Sequence, residues 1–278
     1  MMKRILITGS QGFVGRQVVR SLLELKKEMT LVVRDKSVLD DYPSELVELI
    51  VSPDLFAETS EWWFFTCNGI DTIIHCAWNM QQDSRNSIEA NAKCFHGTLN
   101  LAKGAVKAGV RRFVGIGTCA EYDADSGVVD VTSRLQPITV YGGAKLATFG
   151  MLFSYFFQKN VEFAWARLFY LYGENDKPDR LIPYIRRQIA TGQPCRLGKG
   201  SKIRDYLDVS VAGKMIVTLA LGRKCGAFNI CSGKGRTLRN IAETIANEFS
   251  RKDLLRFDVK NESEFDPPKL VGVPSDLK

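Results

Sequence analysis

The stretch Ile5-Leu6-Ile7-Thr8-Gly9-Ser10-Gln11-Gly12-Phe13-Val14-Gly15 decides the fold. Arg4–Thr8 is a short apolar run and reads as a β-strand. Beyond it, Val14, Val18, Val19, Leu22, Leu23 and Leu25 recur at helical spacing across Gly12–Lys27. The glycines between strand and helix are spaced GxxGxxG. The first allows a tight turn, the second lets an anion approach the backbone, and the third lets helix and strand pack closely. The opening turn of the helix aims amides and the positive end of its dipole at that anion. Gly9, Gln11, Gly12, Phe13, Val14 and Gly15 are thus expected to cradle the pyrophosphate of a dinucleotide. Three glycines alone say little; the strand before them and the helix after them make the pattern specific.

Thr30–Val33, Leu49–Val51, Thr72–Cys76, Arg112–Ile116 and Phe163–Arg167 read as further strands, with a long helix over Ile88–Ala108. Strands alternating with helices predict an α/β fold, a doubly wound parallel sheet of the Rossmann type with right-handed crossovers. After Arg167 the pattern changes. Pro178, Pro183 and Pro194 interrupt shorter elements, and helices are expected at Leu181–Thr191, Val211–Leu221 and Leu238–Phe249. Residues 1–167 are expected to form the dinucleotide-binding core. Residues 168–278 are expected to form mostly a small α/β substrate lobe, with parts returning to the core. Phe265–Lys278 shows no clear period and no closing signal, a pattern compatible with a truncated chain.

The 278 residues, 45% hydrophobic and 25% charged, suffice for one large α/β unit that needs no disulfides. Seven cysteines without a CxxC pair, and only two histidines, argue against a disulfide framework and against a metal site. A reducing, cytoplasmic location is the natural expectation. The N-terminus runs straight into a strand and does not read as a signal peptide. No apolar run approaches the ~20 residues of a membrane helix. The net charge of +7 fits a solvated basic surface or the attraction of polyanionic small ligands. The basic residues are dispersed and do not interleave with aromatics, so no nucleic-acid partner is expected.

The residue ending the second strand, about 20 positions past the loop, selects the cofactor. An acid there bonds a ribose 2′-hydroxyl, and an arginine accommodates a 2′-phosphate. Leu31-Val32-Val33 ends in Arg34, followed by Asp35 and Lys36. Arg34 favours NADP(H); NAD(H) stays open if Asp35 turns in instead. Tyr141-Gly142-Gly143-Ala144-Lys145 is a YxxxK pair. Positions i and i+4 share one helix face. A cation beside a phenol lowers its pKa, and the phenol can then exchange a proton with an alcohol or carbonyl oxygen. Thr118 lies just beyond the fifth strand, in Gly117-Thr118-Cys119-Ala120-Glu121-Tyr122. Ligands of such sheets bind at the carboxyl ends of the strands, so its hydroxyl is expected to serve the same oxygen as Tyr141.

Loop, hydroxyl and YxxxK, in this order, resemble the extended short-chain dehydrogenase/reductase family from residue 3 to about residue 245. That family comprises nucleotide-sugar epimerases, dehydratases and 4-keto reductases. Ile73-Ile74-His75-Cys76-Ala77-Trp78 resembles its VIHLAA strand end, which implies that Cys76, Ala77 and Trp78 pass the cofactor pyrophosphate. Ser52-Pro53-Asp54-Leu55 resembles its GDL segment, which places Asp54 and Leu55 beside the adenine. Asn91, followed by Gly97-Thr98-Leu99-Asn100-Leu101, resembles the NVxGTxNLL helix, whose asparagine helps organise a proton relay to the lysine. Arg167-Leu168-Phe169-Tyr170-Leu171-Tyr172-Gly173 resembles RxFNVYGP, which implies cofactor contact at Phe169 and substrate contact at Tyr170. Lys202-Ile203-Arg204-Asp205-Tyr206 resembles QxRDF, whose arginine meets the nucleotide diphosphate, and Phe228–Gly233 resembles the YNIGSG turn. The resemblance also implies a homodimer through the helices around Asn91–Ala108 and Tyr141–Phe157, where Leu152, Phe153, Phe156 and Phe157 put apolar groups on more than one side.

The departures bear on the reaction. Family dehydratases carry an Asp-Glu pair after the active-site threonine. Cys119 and Ala120 stand there instead, and only Glu121, one place on, could substitute. Tyr170 replaces the asparagine of RxFN at the substrate face. The expectation is reduction of a 4-keto-6-deoxy nucleotide sugar by NADPH. A 4-epimerase with tightly bound NAD would use the same residues, and a non-catalytic dinucleotide sensor is a third possibility. Sensors of this fold typically lose the tyrosine or the hydroxyl. Arg180 and Arg186 are either phosphate contacts or a solvated helix face. Trp62-Trp63-Phe64-Phe65 reads as packing, His75 as structural, and Cys119 has no histidine near in sequence to make it a nucleophile.

Overall fold

A computed structural model describes residues 4–35, 42–81, 84–258 and 266–277; Lys36, Phe265 and Lys278 lie outside them. The first half runs β1 (Ile5–Thr8), α1 (Phe13–Glu24), β2 (Met29–Val33), β3 (Val47–Val51), α2 (Ser60–Thr66), β4 (Thr72–His75), α3 (Ile88–Lys107), β5 (Arg112–Thr118), β6 (Gly127–Val129) and α4 (Val140–Gln158). The second runs β7 (Glu162–Leu168), β8 (Tyr170–Tyr172), α5 (Leu181–Ala190), β9 (Cys195–Arg196), β10 (Ile203–Asp208), α6 (Val209–Leu221), β11 (Gly226–Ile230), β12 (Gly235–Thr237), α7 (Leu238–Glu248), β13 (Leu255–Arg256) and β14 (Lys269–Gly272).

The main sheet has seven strands in the order β11-β7-β5-β4-β1-β2-β3, paired in parallel throughout. Parallel strands covered on both faces read as unbroken apolar runs, which is why Ile5–Thr8 and Met29–Val33 are buried at every position. One face is covered by α1 and α6, through Val18, Val19 and Leu22 against Ala212, Ile216 and Leu219. The other is covered by α2, α3 and α4, through Trp63, Leu101, Ala105, Leu152 and Phe156. Order and layering make this a Rossmann-type doubly wound sheet.

A second sheet, β12-β10-β14-β6 with β8 beside β10, lies past the carboxyl ends of the main strands. Helices α5 and α7 close a separate small core with Ile182, Ile185, Ile241 and Ile245. Helix α6 and strand β11, past Arg167, are built into the main sheet and its helical layer. Two sequence expectations change. Thr118 is the last residue of β5, not one beyond it. The stretch after Phe265, read as patternless, contributes β14, which pairs with β10 and β6. A four-residue strand held between two neighbours needs no period of its own. Among the described residues no helix is long and apolar enough to cross a membrane.

Candidate active site

The glycine loop closes onto β4. Gly9 has φ +71°, and a Cβ there would fall 2.7 Å from the Ala77 amide nitrogen. A Cβ on Gly15 would fall 2.0 Å from the Gly9 carbonyl oxygen. Both positions therefore demand glycine. Gly12 caps α1 without any side-chain hydrogen bond to its first-turn amides, and the buried Ser10 hydroxyl beside them has no partner. Uncapped amides at a helix N-terminus, a backbone no side chain shields and an orphaned hydroxyl fit an incoming phosphate. Gln11 accepts from Arg16 Nε at 2.8 Å through its carbonyl. Phe13 and Val14 pack against the core cluster under α1, and the Arg180 guanidinium lies 5.7 Å from the Phe13 ring. Arg34 is exposed at the end of β2, with Asp35 exposed beside it. Asp54 forms an ion pair with Lys93 and accepts from the Phe56 amide at 3.2 Å, while Leu55 packs against the cluster under α2 and α3.

Thr118, Tyr141 and Lys145 converge where β5 ends and α4 begins. A capping box fixes Thr118: its hydroxyl accepts from Ala120 N at 3.2 Å, and its amide donates to Glu121 Oε1 at 2.8 Å. Thr139 caps α4 by accepting from Gly142 N at 3.0 Å, which sets Tyr141 in the first turn. Burial pushes the Tyr141 phenol up to about 12, opposed by the Arg85 guanidinium and by the Thr118 hydroxyl. Arg85 lies 5.0 Å from the centroid of the Tyr141 ring. Nothing in the sequence pointed to Arg85, because it sits in the aperiodic segment between β4 and α3. Lys145, one turn along α4, is buried; its ammonium donates to the Ile116 carbonyl at 2.8 Å and sits 3.8 Å from the Trp78 ring centroid. Burial pulls its pKa down to about 7.

Asn91 does not reach Lys145. Its Oδ1 accepts from Trp78 Nε1 at 3.0 Å, and its amide nitrogen donates to the carbonyls of Arg85 and Ser87 at 2.8 Å each. In NVxGT the asparagine stands three residues before the glycine, a place that Cys94 holds here. Cys94 accepts from Asn79 N at 3.3 Å. Asn91 thus anchors the segment that carries Trp78 and Arg85. Cys76, just past β4, packs against the core, and burial pushes its thiol up to about 12.

On the substrate side, Glu121 points away from the reacting oxygens. It is fully buried, accepting from Arg167 Nε at 2.8 Å and from Trp165 Nε1 at 3.0 Å. Burial pushes its carboxyl up, while Arg167 holds it down; surrounded by donors, it stays the carboxylate partner of Arg167. Burial pushes the Cys119 thiol up to about 12, so it is no thiolate nucleophile. Phe169 is buried in a cluster with Cys119, Tyr122, Val129 and Leu270, which leaves only its backbone to meet a cofactor. Arg204 lies 5.3 Å from the Tyr170 ring centroid, but its charge is already met by Asp266 at 2.6 Å, a residue the sequence reading passed over. Arg180 pairs with Asp176 at 3.0 Å, and Arg186 with Glu248 at 2.8 Å on the surface. His75 is structural: it bridges Thr8 on β1 at 2.7 Å and Thr98 on α3 at 2.9 Å.

Several known proteins are similar to this chain. The dTDP-6-deoxy-L-talose 4-dehydrogenase (NAD(+)) of Aggregatibacter actinomycetemcomitans is 23% identical over 270 residues, 96% of this chain and 98% of that protein. A trifunctional UDP-glucose 4,6-dehydratase/UDP-4-keto-6-deoxy-D-glucose 3,5-epimerase/UDP-4-keto-L-rhamnose-reductase of Arabidopsis thaliana is 28% identical over 90% of this chain, which spans 40% of that longer protein. Among solved structures, MoeE5 in complex with UDP-glucose and NAD superposes with a TM-score of 0.85 at 22% identity, covering 99% of this chain and 90% of that one. The NAD-dependent epimerase/dehydratase family model matches residues 5–231. With the Rossmann-type sheet and the order of glycine loop, threonine and YxxxK pair, that match places the chain in the NAD-dependent epimerase/dehydratase family.

Proposed function

We propose that this chain reduces the keto group of a nucleotide-diphosphate sugar, a 4-keto-6-deoxy sugar in the first instance, with NADPH as cofactor. The observation that carries the reading is the convergence of Thr118, Tyr141 and Lys145 where β5 ends and α4 begins, with no carboxylate at positions 119 and 120 to drive an elimination. When bound, a reduced nicotinamide supplies hydride. The carbonyl oxygen then gains charge. Tyr141 donates its proton to that oxygen, Thr118 holds it by a hydrogen bond, and Lys145 supplies a positive charge one turn away. The phenol, protonated at neutral pH, can still donate to the far more basic alkoxide that hydride transfer leaves. The withdrawal of Glu121 into its pair with Arg167 speaks further against dehydration.

Gly9, Gln11, Gly12, Phe13, Val14 and Gly15 would hold the pyrophosphate, and Arg34 a 2′-phosphate. Asp54, Leu55, Cys76, Ala77, Trp78 and the backbone of Phe169 complete the proposed cofactor pocket. Tyr170, Arg180 and Arg204 border the proposed sugar-nucleotide side. The talose dehydrogenase, an oxidoreductase at the 4-position of a dTDP-6-deoxy sugar that spans nearly the same length, supports this reading. The NAD in MoeE5 keeps a 4-epimerase as the second reading. The test is NADPH and NADH oxidation with dTDP- and UDP-linked 4-keto-6-deoxy sugars. Consumption of NADPH in preference to NADH is expected. Release of tightly held NAD⁺ on denaturation, with interconversion of UDP-sugars and no net cofactor use, would replace the reductase by the epimerase.

A further inference from the structure

We propose that Trp78 is a positioning residue for Lys145, its indole face serving as the counterpart of the buried ammonium. The inference rests on the reading that Lys145 serves Tyr141. Lys145 is 3% exposed. A buried ammonium normally keeps its charge only beside a carboxylate, and among the described residues none pairs with it. The groups around it are almost all uncharged. His75 and Cys76 face it from β4, Cys94 from α3, the Ile116 carbonyl from β5 and the Trp165 ring from β7, at 5.8 Å. Glu121 acts on it only at a distance, being bound to Arg167 and Trp165.

Trp78 supplies what is missing. Its ring centroid lies 3.8 Å from Lys145 Nζ, within the range where an aromatic quadrupole attracts a cation, most strongly for tryptophan out of water. The ring is held in place. Its Nε1 donates to Asn91 Oδ1 at 3.0 Å, Asn91 is tied to the Arg85 and Ser87 carbonyls, and Phe56 abuts the indole edge-on with centroids 6.5 Å apart. Trp78 also stands where the VIHLAA pattern has a small residue, so the contact is a feature of this chain. Asn91 would then act on the lysine through the indole, by fixing its plane.

The test is the ionisation of Lys145 in the full-length protein, followed by NMR of lysine labelled with ¹³C at Cε, with the Lys145 signal assigned by its loss in Lys145→Arg. The wild-type midpoint is expected near the value of about 7 that burial sets. Trp78→Leu, which keeps an apolar side chain at this half-buried position but removes the ring, should lower the midpoint by about one pH unit, a tenfold change in the ionisation constant. Trp78→Phe should lower it less and serves alone if the leucine variant does not fold. A midpoint that stays put or rises in a folded Trp78 variant overturns the proposal. The readout needs neither substrate nor cofactor. An unmoved midpoint in the variants with keto reduction by the wild type would sink Trp78 alone, and absence of keto reduction by the wild type, whatever the midpoints, would sink the reductase.

Discussion

Lys145 shows what the site costs the fold. Its pKa falls from 10.5 to about 7 on burial. The unfolded chain therefore binds more protons than the folded one between these values, so stability rises with pH across that window and the full penalty applies below pH 7. Lys145→Met should stabilise the protein by a few kcal/mol at neutral pH, with the gain fading toward pH 10, as urea denaturation across pH would show. His75 adds a second slope: held neutral with a pKa near 3 against an ordinary 6.5, it removes stability as pH falls below 6.5. Glu121→Gln should be among the most damaging single changes, about 3–5 kcal/mol, because it leaves the Arg167 guanidinium buried and unpaired. Arg85→Gln should remove a charge that favours the phenolate, weaken Tyr141 as an acid and lower kcat by up to about tenfold, with little effect on cofactor affinity. Thr118, Tyr141 and Lys145 were readable because each is indexed to a regular element. Arg85 and the true partners of Asn91 were not, because the segment between β4 and α3 has no period and its contacts are set by folding back.

At the level of elements, the apolar runs and the glycine spacing fixed six of the main strands to within one or two residues. The seventh, β11, escaped because it enters the sheet from the far side of α6, and a topological return leaves no local mark. β6, β8 and β14 are too short for an alternation to register; their pairing depends on neighbours distant in sequence. The loop is the element where sequence and geometry agree most closely. Gly15→Ala should abolish dinucleotide binding and lower stability by about 1–3 kcal/mol, since its Cβ would meet the Gly9 carbonyl at 2.0 Å; cofactor titration and thermal melting would check both. Arg34→Glu should reverse the expected preference for NADPH over NADH, read as the ratio of the two kcat/KM values.

In the whole molecule, the carboxyl ends of the main strands face the second sheet, and the proposed site lies between them, where ligands of doubly wound folds bind. The outer surface of α3 and α4 carries Ile88, Met151, Phe153 and Phe157 exposed, Phe157 at 80%. Leu152 and Phe156, named beside them from sequence, prove to be core; the alternation of buried and exposed faces was blurred by a helix apolar nearly all round. Exposed apolar side chains on these helices suit a homodimer, so light scattering should give twice the chain mass, and Phe157→Glu should return it to one. Whatever the assembly, Tyr141 is proposed to deliver the proton in a hydride reduction. The most direct measurement is NADPH oxidation with a 4-keto-6-deoxy nucleotide sugar by wild type and Tyr141→Phe, alongside NADPH binding to both. Turnover lost at least a hundredfold with binding unchanged is the predicted result, and turnover that survives in Tyr141→Phe would contradict it.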